Sequence, residues 1–318
     1  MTAIRVSAIG VPSDYKTSLV PAIFKNLGHQ IEWVEPKRCD LMIVGSFHNL
    51  SKKKLAWCPK PLRPLVNGLS NEIKSVISRS HKKPLVLFQT GENLRHDFVQ
   101  NDYALTFDLG ISSANHFRMP YWMEVADWSA EGVTGNTNPR FGRLIDINRL
   151  LQPLGKDFLA RPQKAAIFAS HLREPRGSLL NALKKEIEVV EFGKSFNPHI
   201  KNHLESGLIK FDELQAFAFN LCPENGMHPG YYTEKIPEAF MAGCLPITWA
   251  DGNIKTDFNP EAFINLAPMS MNHFADLAEI LHTRSRLEQY SEQPLLLMRP
   301  SIEPLKKFIQ EIIRVAKS

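Results

Sequence analysis

A chain of 318 residues, 43% hydrophobic and 22% charged, is long enough for two domains and has a normal globular composition, which excludes a disordered or fibrous protein. The net charge of +5 suits an anionic ligand or an acidic surface, but so small an excess over two domains leaves no footprint for nucleic acid. The four cysteines, Cys39, Cys58, Cys222 and Cys244, form no CxxC pair and read as buried free thiols of a reducing compartment, not as a disulfide framework or a metal site.

The N-terminus alternates like a strand over residues 3–10 and lacks the long apolar core of a secretion signal, and no later segment reaches the length of a membrane span. Residues 18–27 follow as a helix that Gly28 closes, with short strands at 31–34 and 41–44, so the order is β-α-β from the start. No GxGxxG is present to mark a dinucleotide site. The stretch 51–64 carries Lys52, Lys53, Lys54, Lys60 and Arg63 around Leu55, Ala56 and Trp57. It is either a solvated face, the ordinary reading of a charge run, or a peripheral contact with an anionic membrane surface. Residues 84–90 form a buried-strand run that stops at Gly91-Glu92-Asn93, and 102–108 and 117–121 add strand-like segments.

Breaks rich in Gly, Asn, Thr and Pro at 132–140 and 151–162 put a domain boundary near 150–162, dividing the chain into 1–155 and 156–318. The second part reads as strand 164–170, helix 176–185, strand 187–192 and strand 216–222, the last bounded by a Pro-Glu-Asn-Gly turn. Thr233 is then expected to cap a helix with Glu234 and Lys235 in its first turn and Ile236, Ala239, Phe240 and Gly243 along one face, before a strand at 245–249. Such a βαβ unit offers a helix N-terminus to an anion. Helices at 272–282 and 302–316 end the chain, the last amphipathic and expected either to close the second domain or to pack back on the first. The repeated alternation predicts an α/β protein with two doubly wound, Rossmann-like parallel domains facing across a cleft.

One composite stretch is far more specific than these patterns. Phe219, Leu221, Glu224 and Asn225, a short Gly-containing loop, then Tyr231, Thr233, Glu234 and Lys235 leading into the helix, closely resemble the signature of the glycosyltransferase family 10 α-1,3/1,4-fucosyltransferases, in their bacterial form. The match continues through Asp257-Phe258-Asn259-Pro260 and Phe263-Ile264-Asn265, covering most of the C-terminal half. Upstream, Gly91-Glu92-Asn93, Asp97-Phe98 and Asp102-Tyr103-Ala104-Leu105-Thr106-Phe107-Asp108 match the family segment that supplies a catalytic base. Two departures stand out: Pro223 replaces the usual aromatic residue, and Pro237 lies inside the first helical turn, where it can push the helix start past Thr233.

The resemblance implies a GT-B fold and an inverting transfer of L-fucose from GDP-fucose to a glycan hydroxyl, in α-1,3 or α-1,4 linkage, on an oligosaccharide or polysaccharide such as a bacterial surface or lipopolysaccharide precursor. It also implies a cytoplasmic enzyme, peripheral on the inner membrane if 51–64 contacts lipid. Glu92 would be the base, Arg176 and Lys235 the diphosphate clamp, Glu234 the ribose ligand, and Asn225 and Tyr231 the lining of the nucleotide site. The loop before Arg176 is one residue shorter than in the family, so Arg173 remains its rival. Glu224 is read only as an organiser of the loop. His171 and His228 have no partner at i+3 or i+4 and no D-x-D motif is present, so no obligatory metal is expected, the arginine and lysine standing in for a divalent ion. Without the resemblance the residues support an anion-clamping two-domain protein. The alternatives are a GT-B transferase of another sugar nucleotide and a non-catalytic nucleotide- or glycan-binding module.

Overall fold

The structure, a computed structural model, describes residues 2–49, 83–199, 209–267 and 275–318. The basic stretch 51–64 and Cys58 lie outside the described residues. Two compact units emerge: unit 1 comprises Met1–Glu124, Trp128–Asn136 and Ser301–Ser318, and unit 2 comprises Val125–Asp127 and Thr137–Pro300. The chain thus passes between units near residue 136, ahead of the breaks at 150–162, and the final helix, Glu303–Lys317, belongs to unit 1.

Unit 1 is built on six parallel strands: β1 Thr2–Ile9, β2 His29–Trp33, β3 Leu41–Val44, β4 Leu85–Gln89, β5 Tyr103–Thr106 and β6 His116–Arg118, in the order β2-β1-β3-β4-β5-β6. Central strands of a parallel sheet are covered on both faces, which is why 41–44 and 84–88 read as unbroken apolar runs rather than alternating ones. All of Leu41–Val44 is buried. β6 begins a residue earlier and ends sooner than the apolar pattern at 117–121 suggests, because Pro120 cannot donate to a ladder. The helix Leu19–Asn26 buries Leu19, Val20, Ile23 and Phe24, and Gly28 beyond it takes a left-handed φ of 79°. The final helix buries Leu305, Ile309, Ile312, Ile313 and Ala316 at helical spacing, and Phe308 meets Tyr103 edge to face, ring centroids 5.7 Å apart.

A buried polar chain ties the strand ends of this unit together. Tyr15 Oη donates to Gln89 Oε1 at 2.5 Å, Gln89 Nε2 to Glu124 Oε2 at 3.0 Å, and the Leu19 amide to Glu124 Oε1 at 2.8 Å. Burial holds the Glu124 carboxyl above its ordinary value, more than those two donors lower it.

Unit 2 carries β7 Ala165–Phe168, β8 Val189–Phe192, β9 Phe219–Leu221, β10 Leu245–Thr248 and β11 Ile264–Asn265, all parallel, in the order β11-β10-β9-β7-β8. The chain runs from β7 outward to β8, then returns past β7 to β9. Strand order therefore reverses between β7 and β9, and open α/β sheets place their ligands outside the carboxyl ends of such a pair.

Candidate functional site

The loops leaving β7 and β9 meet at that switch point. After β7, Arg176 opens the helix Arg176–Leu183 and is 6% exposed. Its Nη1 donates to the His171 carbonyl at 2.9 Å and its Nη2 to Asn225 Oδ1, in the loop after β9, at 2.7 Å. Burial holds the guanidinium below its ordinary value, against the opposing pull of Glu224 and Tyr231. Arg173, its rival in the sequence, is exposed, so only Arg176 is built into the loop pair.

The carboxylate of Glu224 is the centre of the β9 loop. It is fully buried and accepts the Thr233 amide at 2.8 Å, the Thr233 hydroxyl at 2.8 Å and Lys235 Nζ at 3.1 Å. Lys235 also donates to Thr233 Oγ1 at 2.7 Å and lies 3.8 Å from Glu234. Burial opposes the charge on Lys235, but Glu224 and Glu234 outweigh it and raise the ammonium above its ordinary value. Burial likewise opposes ionisation of Glu234, and Lys235 with Lys210 outweighs it, so this carboxyl is lowered. Arg176 and Lys235 act electrostatically on the same Glu224 and Tyr231, two cations around one buried anion.

One local expectation is corrected here. The helix runs Lys235–Met241, preceded by Glu234, with no side-chain cap. Thr233 does not cap it, because both its amide and its hydroxyl are committed to Glu224. Pro237 sits at the third helical position, where its missing N–H costs nothing, and the helix starts one residue later than a Thr233 cap implies. Tyr231 is buried and Asn225 exposed, on opposite ends of the same loop.

The helix itself carries a further buried charge that the sequence analysis does not single out. Glu238, 2% exposed, pairs with Lys210 Nζ at 2.7 Å and accepts Asn138 Nδ2 at 2.9 Å. Its signal was present: a glutamate in an otherwise apolar run, one turn beyond Glu234, is a charge on a buried face and demands a partner.

In unit 1, Glu92 stands in the loop after β4, exposed, while its amide donates to Thr90 Oγ1 at 3.0 Å. A Cβ on Gly91 would run into the Tyr121 ring, so the glycine permits a close approach rather than a special φ. Asp97 is exposed, and Asp102 accepts the Val86 amide at 2.8 Å at the opposite end of β4. Among the described residues, no three His, Cys, Asp or Glu side chains are grouped to hold a metal ion, and no helix is long and apolar enough to cross a membrane. Cys39, Cys222 and Cys244 are buried free thiols, and burial pushes Cys39 up to about 11.

Two parallel α/β units, one with charged loops gathered at its switch point, define a protein of the GT-B class. Two crystal structures of α1,3-fucosyltransferase share the fold: one with GDP-fucose superposes with a TM-score of 0.65 at 20% identity over 98% of this chain and 91% of the other, and one with GDP with 0.67 at 20% identity over 100% and 91%. Residues 159–292 match the family model "Glycosyltransferase family 10 (fucosyltransferase) C-term". "Alpha-(1,3)-fucosyltransferase FucT" of Helicobacter pylori is 29% identical over 234 residues, which are 68% of this chain and 48% of that protein. The chain thus spans about half the length of this curated relative.

Proposed function

We propose that this protein is an inverting fucosyltransferase that uses GDP-fucose as donor and a glycan hydroxyl as acceptor. The observation that carries the reading is the pair of cations, Arg176 and Lys235, around the buried Glu224 where β7 and β9 part. Negative charge gathers on a diphosphate as the glycosidic bond breaks, and fixed cations in a partly desolvated loop answer that need without reorganising. The Arg176 fork and the compact Lys235 charge are complementary donors for such a group. Glu234, whose carboxyl is lowered by Lys235 and Lys210, suits the two hydroxyls of a ribose, and Asn225 and Tyr231 complete the lining of the nucleotide site in this reading. The GDP-fucose and GDP bound in proteins of the same fold favour this donor.

Glu92 serves as the base in this reading. The acceptor oxygen attacks the anomeric carbon opposite GDP, its proton passes to Glu92, and the bonding pair of the breaking C–O bond leaves with the diphosphate. The acceptor class is an oligosaccharide or polysaccharide, such as a bacterial surface or lipopolysaccharide precursor, and the H. pylori relative favours α-1,3 linkage. In this reading the reaction runs in the cytoplasm without an obligatory divalent ion.

The test is to incubate the purified protein with GDP-fucose, GDP-mannose and UDP-sugars in turn and follow release of the nucleotide, then to add glycans, with and without a chelator. Release of GDP from GDP-fucose alone, accelerated by a glycan and unaffected by chelation, is the expected result. Release from a different donor overturns the fucose reading. Loss of turnover on chelation, restored by Mn²⁺, overturns the metal-free one.

A further inference from the structure

The Glu92 loop is pinned at both ends by side chains that no part of the donor chemistry uses. On the near side, Thr90 Oγ1 accepts the Glu92 amide at 3.0 Å and lies 2.9 Å from Ser46 Oγ. On the far side the anchor is Asp108, just beyond β5 and 5% exposed. Its Oδ2 accepts the His96 amide at 2.8 Å and the Thr106 hydroxyl at 2.7 Å, and its Oδ1 accepts Arg95 Nη1 at 3.0 Å.

Arg95 carries the constraint onward. Its second arm donates to Asn93 Oδ1 at 2.6 Å, and its guanidinium lies over the Phe107 ring, 4.1 Å from the centroid. The polarity of the cluster is fixed as well. Thr106 gives its only hydroxyl proton to Asp108, so His116 Nε2, 2.9 Å from Thr106 Oγ1, must be the donor there. A continuous path therefore runs from His116 through Thr106, Asp108 and Arg95 to Asn93, the residue next to Glu92. The carboxylate of Glu92 itself is left with no partner among the described residues, on a backbone held from both sides.

We propose that Asp108 is a positioning residue for the reaction, acting through the Arg95 fork to hold the Glu92 carboxylate where a general base is needed. The inference rests on the reading of Glu92 as that base. Asp108 and Arg95, of opposite charge, hold the segment from Asn93 to His96, and Glu92 is the exposed carboxylate between that segment and the Thr90 anchor. General-base transfer requires hydrogen-bond reach of the reacting proton, and a misplacement of about 1 Å can cost on the order of a hundredfold in rate.

The experiment compares Asp108→Asn, Arg95→Lys, Glu92→Gln and the double variant Glu92→Gln/Asp108→Asn, reading kcat on donor plus acceptor and GDP affinity by calorimetry. Asp108→Asn keeps the shape but loses the charge. Arg95→Lys keeps the charge but cannot bridge Asp108 and Asn93 at once. Each should lower kcat about ten- to a hundredfold, with GDP affinity unchanged within about twofold. The double variant should be no slower than Glu92→Gln alone, because Asp108 has nothing left to position. A merely structural role would multiply the two losses and lower GDP affinity along with kcat, and either result overturns the proposal. Near-normal turnover in Asp108→Asn and Arg95→Lys beside an inactive Glu92→Gln overturns it while leaving the base intact. Near-normal turnover in Glu92→Gln removes the base and this inference with it. Should Asp108→Asn fail to fold, Arg95→Lys decides.

Discussion

The Nη2 of Arg176 donates to Oδ1 of Asn225 at 2.7 Å, joining two loops 49 residues apart in sequence at the point where the strand order of their sheet reverses. Because the other arm of the guanidinium is held by the His171 carbonyl, the fork is oriented before any ligand arrives. Replacing Arg176 or Lys235 by Ala should weaken GDP binding by about 1.5–3 kcal/mol each, the range for hydrogen bonds to charged groups. Arg173→Ala, at an exposed position, should change it by less than about 0.5 kcal/mol. Calorimetry with GDP checks both, and the reverse ranking of the two arginines would return the clamp to Arg173. Glu234→Ala should weaken guanosine binding more than it weakens the diphosphate contribution.

Glu92→Gln keeps size and hydrogen bonding but loses basicity. Turnover should fall by about 10²–10⁴-fold while GDP affinity barely changes.

The pair formed by Lys210 and Glu238 predicts a stability effect rather than a kinetic one. Lys210→Met leaves a 2%-exposed carboxylate held, among the described residues, by Asn138 and should cost about 3–5 kcal/mol, the range for breaking a buried pair. Lys210→Met combined with Glu238→Leu removes both charges and should recover most of it. Denaturant midpoints of the three proteins measure the difference.

The buried Glu124 predicts a pH dependence of definite sign. Burial raises its folded pKa above the ordinary 4.5, so the folded protein binds this proton more tightly than the unfolded chain. The stabilisation is therefore full below the unfolded value and is lost as pH rises through the folded one. In Glu124→Gln this loss is absent. Thermal midpoints taken from pH 4 to pH 8 should show the variant gaining on the wild type as pH rises. A constant difference would mean that Glu124 does not titrate there.

Local pattern determined a good deal of this protein. The apolar runs at 41–44, 84–88 and 164–170 became β3, β4 and β7 because buried parallel strands need both faces apolar, and the alternation with helices implied the α/β class. The composite from Phe219 to Lys235 identified the family-like loop before any contact was known. Tertiary structure alone decided what those residues touch. The sequence favours Arg176 but leaves Arg173 as its rival, and only the return of the chain past β7 to β9 brings Asn225 to Arg176 and leaves Arg173 in solvent. Thr233 is a residue type suited to a cap, yet a buried Glu224 takes both its donors, because a carboxyl group out of water must find hydrogen-bond partners within the protein. The final helix shows an apolar stripe but no address, and periodicity cannot supply one. A stripe states that a face is buried, while the order of strands in each sheet decides against what.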